Sequence, residues 1–117
     1  MTSEQTAAVF TRIRKDIETN PVVLFMKGTP MFPLCGSSAA MAQALDLLGV
    51  TYKSVNVLDD PEVRESLNAF SNWPDLPQLF LHGKFVGGGT ALREMANSDQ
   101  LAAKLRESGV AMRSSHA

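Results

Sequence analysis

Short apolar runs along the chain predict the strands. VVLFM at residues 22–26 is an unbroken apolar run, too short for a typical helix. Such a run predicts a strand buried on both faces, as in a parallel sheet. TYKSVNV at residues 51–57 predicts a second strand. QLFL and KFVG flank His82-Gly83, which predicts an antiparallel hairpin with a tight turn.

Apolar residues recur at helical spacing between and around these strands. In the first helix, Phe10, Ile13 and Ile17 are the predicted buried face. Asp60 is a favoured N-cap residue, and the Pro61 that follows is favoured at the first helical position. The predicted helices cover residues 4–19 and 36–49 and begin after Asp60, near Thr90 and near Ser98.

The order of these elements is α-β-α-β-α-β-β-α-α. The first two strands are joined through a helix and should be parallel, whereas the last two form a hairpin. The expected architecture is α/β, a mixed four-stranded sheet with helices on both faces. A chain of 117 residues with 44% hydrophobic content suits one domain. We expect its core at about residues 5–108 and a flexible tail at 110–117.

The charge and composition of the chain bear on which classes of partner and which cellular compartment to expect. The net charge of −1 favours neither nucleic acid nor an anionic membrane as partner. No apolar run approaches the roughly 20 residues of a spanning helix. The N-terminus lacks the layout of a secretion signal. A single cysteine cannot form an internal disulfide, so we expect a cytoplasmic location.

That cysteine, Cys35, lies in the segment KGTPMFPLCGSS, residues 27–38, between the first strand and the next helix. N–H groups at a helix N-terminus stabilise a thiolate, and Lys27 can add a positive charge. The segment therefore predicts a partly exposed, reactive thiol of lowered pKa. A buried, inert cysteine is the alternative, since free cysteines are usually buried. A dithiol enzyme would have its second cysteine at Ser38.

Two other cysteine chemistries find little support. Zinc takes about four nitrogen or sulfur ligands, whereas the chain offers Cys35, His82 and His116. A cysteine hydrolase needs an imidazole beside the thiol. His82 is predicted in a turn at the far end of the hairpin from the glycines at 87–89.

Four further features are candidate site components. The run GGG at 87–89 before Thr90 could form an anion pocket from backbone N–H groups, and a flexible loop is the alternative. Pro77 opens a strand. Trp73 is expected in the core, and a surface residue that stacks on a ligand is the alternative. Arg64 is expected on a solvated helix face, unless it points at an anion.

Three spaced motifs, MKGTPxxPxCGxS, SNWPxxPQLF and GKFVGG, together resemble the monothiol glutaredoxins of the CGFS type over residues 5–108. The resemblance implies a thioredoxin-like fold, a cis Pro77, glutathione binding and a role in iron–sulfur cluster assembly. By the same resemblance, Cys35 would ligate the cluster iron or attack a glutathione disulfide. Lys27 and Arg64 would contact the glycine carboxylate of glutathione.

The resemblance also assigns the rest of the glutathione site. The backbone around Leu76 would pair with the tripeptide like an added strand. Gly88, Gly89 and Thr90 would hold its γ-glutamyl end. The family usually has Cys-Asp where this chain has Gly89-Thr90, and Phe at Ser37. Thr90 lacks the charge that would bind the glutathione amino group strongly, so weaker glutathione binding than in typical members is expected.

The number of thiolate ligands available favours a cluster that is shared between two subunits. A [2Fe–2S] cluster takes four thiolates, whereas this chain has one. A two-fold homodimer with two bound glutathiones would supply all four, and a second protein replacing one subunit is left open. The recipients would be iron–sulfur acceptor apo-proteins. The alternatives are a glutathione-dependent monothiol oxidoreductase that removes glutathione from mixed disulfides, and an interaction module with neither activity.

Overall fold

The computed structural model describes residues 2–112. The helices and strands in this range follow the predicted order. They are α1 (Ser3–Thr19), β1 (Val22–Met26), α2 (Gly36–Leu47), β2 (Lys53–Asn56), α3 (Pro61–Ser71), β3 (Gln78–Leu81), β4 (Lys84–Gly88), α4 (Thr90–Ala96) and α5 (Gln100–Glu107).

The four strands form one mixed sheet in the order β2-β1-β3-β4. β1 and β2 are parallel, and β3 is antiparallel to both β1 and β4, as predicted. The register pairs Phe25, near the end of β1, with Gln78 at the start of β3. Gln78 in turn pairs with Gly88 at the end of β4. The loop after β1, the residues before β3 and the glycines after β4 therefore meet at one end of the sheet.

β1 is buried on both faces and divides the interior into two cores, which confirms the prediction from its apolar run. Val22, Leu24 and Met26 pack with α2, α4 and α5. Val23 and Phe25 pack with α1 and α3. Helices cover both faces of the sheet, and this arrangement confirms the predicted α/β, thioredoxin-like fold.

The buried face of α1 differs by one residue from the prediction. Val9, Ile13 and Ile17 are buried, whereas Phe10 is only half-buried. Val9 continues the i, i+4, i+8 row of the two isoleucines, and Phe10 lies at the edge of that row. Its ring reaches sideways to Phe70 of α3, with centroids 5.3 Å apart.

Three elements, α2, β2 and α5, are shorter than the sequence predicts. α2 ends at Leu47 rather than 49, β2 covers only Lys53–Asn56, and α5 begins at Gln100 rather than near Ser98. The predicted start of α3 is confirmed, because Oδ1 of Asp60 accepts a hydrogen bond from the Val63 N–H at 3.2 Å.

The predicted tail begins in contact with the body of the protein. The Val110 N–H donates to the Leu105 carbonyl at 2.9 Å. Val110 and Met112 pack against the core on the α2 side of the sheet. The rest of the predicted tail, at 113–117, lies outside the described residues.

Phe80 should contribute strongly to the core between the sheet and helices α1 and α3. Its ring is 2% exposed and has its centroid 5.6 Å from those of Phe25 and Phe85. We expect Phe80→Ala to lower the free energy of unfolding by about 3–5 kcal/mol, because it leaves a cavity among packed rings. Phe32→Ala is the matched control, since Phe32 is 73% exposed. Urea denaturation measures both, and equal losses for the two variants would contradict the assignment.

Candidate functional site

Cys35 is the N-cap residue of α2, and its sulfur is held by Ser38 one turn along. The Ser38 N–H donates to Sγ at 3.4 Å, and the Ser38 Oγ lies 3.1 Å from the same sulfur. The Ser38 Oγ also accepts a hydrogen bond from the backbone N–H of Lys27 at 3.1 Å. Because its oxygen is engaged by Lys27, the hydroxyl proton of Ser38 is free to point at a Cys35 thiolate.

These contacts favour the thiolate. Partial burial by itself raises the pKa of Cys35. The hydroxyl and N–H of Ser38, the charge of Lys27 and the N–H of Ser37 act in the opposite direction. Together they outweigh burial and place the pKa of Cys35 below its usual value. The structure thus supports a reactive thiol rather than an inert, buried one.

The loop that carries Cys35 folds back on the end of β1. The Leu34 N–H donates to the Lys27 carbonyl at 2.9 Å, and Thr29 and Phe32 exchange two backbone hydrogen bonds. This tight loop leaves Met31, Phe32 and Leu34 largely exposed. An apolar surface therefore precedes the thiol along the chain.

A cavity of about 630 Å³ lies beside Cys35, within the usual range of small-molecule sites. Its walls come from the end of β1, from α2 and α3, from the segment before β3 and from the start of α4. It is lined by Lys27, Ser37, Pro61, Arg64, Glu65, Asn68, Pro74, Asp75, Leu76, Gly89 and Thr90. Cys35 does not itself line the cavity, but Ser37 and Lys27, which both act on its sulfur, do.

The structure brings most of the predicted binding residues together. Lys27, Arg64, Leu76, Gly89 and Thr90 all line this one cavity. The cavity therefore combines two cations with the residues that the resemblance assigns to the backbone and to the γ-glutamyl end of glutathione.

Pro77 and Gly88, the two other predicted binding residues, do not line the cavity. The Leu76–Pro77 bond is cis, as the resemblance implied, and the Pro77 carbonyl accepts the Gly89 N–H at 2.9 Å. Gly88 is buried and pairs with Gln78 in the sheet. These contacts hold the wall segment before β3 against the start of α4.

The expectation that Trp73 lies in the core is wrong. Trp73 is 36% exposed and lies over β4, with its ring centroid 5.8 Å from that of Phe85. A Cβ atom at Gly88 would come within 2.6 Å of Cδ1 of Trp73. The indole ring therefore packs directly on the backbone of Gly88, where a larger residue would clash with it. It lies at the surface of the protein rather than in the core.

The histidines and acidic residues form no second centre in the described part of the chain. His82 lies in the β3–β4 turn, at the opposite end of the hairpin from Gly88, and His116 lies outside the described residues. Between residues 2 and 112, no three His, Cys, Asp or Glu side chains group as a metal site. Over the same range, no helix is long and apolar enough to cross a bilayer.

Two residues of the site have roles that the sequence pattern does not predict. Ser38 is marked only as the position where a dithiol enzyme has its second cysteine, although a serine three residues after a helix N-cap can reach back to that cap. No role is predicted for Asp75, because contact between Asp75 and Gly89 requires β3 and β4 to pair first.

The family model for glutaredoxin matches residues 22–86. The chain belongs to the glutaredoxin family. This glutaredoxin is 48% identical over 104 residues to the mitochondrial monothiol glutaredoxin-5 of Saccharomyces cerevisiae, covering 83% of this chain and 69% of the relative. It is 47% identical over 95 residues to the mitochondrial glutaredoxin-related protein 5 of Danio rerio. That alignment covers 80% of this chain and 61% of the relative, so the chain spans less than two thirds of that relative.

Among solved structures, this glutaredoxin is similar to a buckwheat glutaredoxin crystallised as a glutathione complex. The TM-score is 0.75 at 25% identity, over 93% of this chain and 97% of the other. The resemblance to monothiol glutaredoxins and the thioredoxin-like fold are thereby confirmed.

Removing the Ser38 hydroxyl should raise the pKa of Cys35. Ser38→Ala deletes the hydroxyl that donates to the Cys35 thiolate and accepts the weaker hydrogen bond of the Cys35 thiol. The thiolate loses more, so the pH–rate profile for alkylation by iodoacetamide moves to higher pH. At pH 7 we expect roughly tenfold slower alkylation. Ser37→Ala is the matched control, because Ser37 acts on Cys35 through its backbone N–H, which alanine retains. Equal profiles for Ser38→Ala and the wild type would contradict this assignment.

Proposed function

We propose that this glutaredoxin binds glutathione in the cavity beside Cys35 and, as a homodimer, carries a [2Fe–2S] cluster to acceptor apo-proteins. The observation that carries the proposal is one thiol of lowered pKa beside a cavity with two cations. In this proposal the cluster is cargo. Glutathione binds to the protein in the cavity, and its thiolate also binds the iron of the cluster.

The cavity fits glutathione by size and by charge. Glutathione carries two carboxylates and one ammonium group at neutral pH. Lys27 and Arg64 would bind the glycine carboxylate, and their charge and their place in the cavity lining support this role. The backbone of Leu76 would pair with the tripeptide before the cis bond to Pro77. Gly89 and Thr90, which line the cavity, would hold the γ-glutamyl end, and Gly88 would support them from within the sheet.

The chain can hold a cluster only with ligands from elsewhere. It has one cysteine, so one subunit supplies one thiolate of the four required. A second subunit and two glutathiones complete the set. Cys35 suits this role because the thiolate is the form that ligates metals. The exposed Met31 and Phe32 offer apolar surface that a second subunit could cover.

Two finer parts of the proposal come from the resemblance. They are iron–sulfur apo-proteins as acceptors and a second protein in place of one subunit. The proposed cytoplasmic location comes from the single cysteine of the chain. The relatives from S. cerevisiae and D. rerio are named as mitochondrial proteins, and the location of this chain stays a prediction.

A second candidate function is removal of glutathione from mixed disulfides. The Cys35 thiolate would attack the glutathione sulfur, form a new disulfide and release the partner as a thiolate. A second glutathione thiolate would then attack that disulfide, restore Cys35 and leave oxidised glutathione. Two observations favour this function, the lowered pKa of Cys35 and the small Ser37 beside it, where no aromatic ring shields the sulfur.

Anaerobic reconstitution with iron, sulfide and glutathione tests the proposal. We expect a brown protein that elutes as a dimer by size exclusion, with two glutathiones per cluster. Omitting glutathione should give a colourless monomer, because two of the four ligands are then missing. Cys35→Ser is the control and should stay colourless with glutathione present.

A colourless wild type under conditions that load a CGFS glutaredoxin would contradict cluster binding. A mixed-disulfide assay coupled to glutathione reductase would then decide the second function. Turnover by the wild type and none by Cys35→Ser would support it.

A further inference from the structure

We infer that Asp75 supplies the carboxylate that binds the γ-glutamyl ammonium group of glutathione, a role that the side chain at position 90 cannot fill in this chain. The inference deepens the proposed function and rests on its glutathione site. It concerns a residue to which neither the sequence motifs nor the resemblance gave a role.

Asp75 lies against the residues assigned to the γ-glutamyl end. It lines the same cavity as Gly89 and Thr90. A Cβ atom at Gly89 would lie 2.7 Å from Cβ of Asp75 and 3.4 Å from its Oδ2. The Asp75 side chain thus takes the space that a side chain at position 89 would need. The backbone of Gly89, with φ +61°, is also one that other residues rarely adopt.

The backbone of Asp75 is fixed by a buried side chain. Nε2 of Gln78, which is fully buried, donates to the carbonyls of Trp73 and Asp75 at 3.1 and 3.2 Å. The carboxylate is therefore carried by a segment that is held in place before any ligand arrives, which lowers the cost of binding.

The charge of Asp75 is not used within the described part of the protein. The ion pairs in residues 2–112 join Arg12 to Asp60 and Lys53 to Asp16. Asp75 belongs to neither and faces the cavity. An ammonium group beside it would form a charge-assisted hydrogen bond, about twice as strong as a bond to the neutral Thr90 hydroxyl.

Glu65 is the other carboxylate of the cavity, but its position suits the ammonium group less well. It belongs to α3 and follows Arg64, the residue assigned to the opposite, glycine end of the tripeptide. Asp75 precedes Leu76 and touches the space at Gly89. Only Asp75 therefore lies at the γ-glutamyl end.

This placement accounts for both residues of the Gly89-Thr90 pair. A side chain at 89 would overlap Asp75, and a charge at 90 would duplicate the one that Asp75 brings. With Asp75 supplying this charge, we expect it to offset the weaker glutathione binding predicted from Thr90 alone.

Calorimetry on the full chain with two ligands tests the inference. The ligands are glutathione and glutaryl-cysteinylglycine, which differs from it only by lacking the ammonium group. We expect Asp75→Asn to raise the Kd for glutathione about tenfold and the Kd for the analogue less than about twofold. Asparagine has nearly the same shape, so packing is retained. Glu65→Gln is the matched control and should keep the wild-type preference for glutathione over the analogue.

Moving the carboxylate provides the rescue. Adding Thr90→Asp to Asp75→Asn should return the Kd for glutathione to within about threefold of wild type, whereas Thr90→Asp alone should change it little. If Asp75→Asn keeps the full preference for glutathione, the inference is overturned and the proposed function stands. If wild type fails to bind glutathione, the proposed function falls with it.

Discussion

The burial of β1 on both faces is the constraint on which the rest of the structure depends. Its alternate side chains enter two separate cores, and both of its edges are paired, with β2 in parallel and β3 in antiparallel orientation. A strand with a core on each face and a paired strand at each edge has one register. A shift of one residue would move every side chain of β1 into the opposite core. The end of β1 therefore fixes where Lys27 lies, and the pairing with β3 brings Pro77 to the same end of the sheet.

The site then combines opposing electrostatic effects in a small space. Burial disfavours the Cys35 thiolate, and the hydrogen bonds of Ser38 together with the charge of Lys27 more than offset it. Ser38 is able to help because it is itself fully buried and its oxygen is already satisfied by the Lys27 N–H. The Ser38 hydroxyl thus stabilises the thiolate and, unlike a cysteine at this position, cannot form a disulfide with Cys35.

The same thiolate suits cluster carriage and disulfide exchange, so the chemistry of the sulfur alone does not distinguish the two functions. What differs is its surroundings. In the proposed homodimer a second subunit would cover the exposed loop at Met31 and Phe32, whereas the proposed disulfide exchange would need open access at Ser37. Both functions need glutathione in the cavity. The cations at one end and Asp75 at the other would orient the tripeptide, with its own sulfur towards Cys35.

The sequence by itself determined the element order, the mixed sheet, the reactive cysteine and, through three spaced motifs, the family. These features depend on local periodicity, caps and contiguous residues, all of which can be read along the chain. The tertiary structure alone decided that Val9, rather than Phe10, is buried on α1 and that Trp73 lies on the surface over Gly88. It also decided that Ser38 joins Lys27 to Cys35 and that Asp75 meets Gly89. The contacts of Trp73 and Asp75 join segments more than ten residues apart, so they exist only once β1, β3 and β4 have paired.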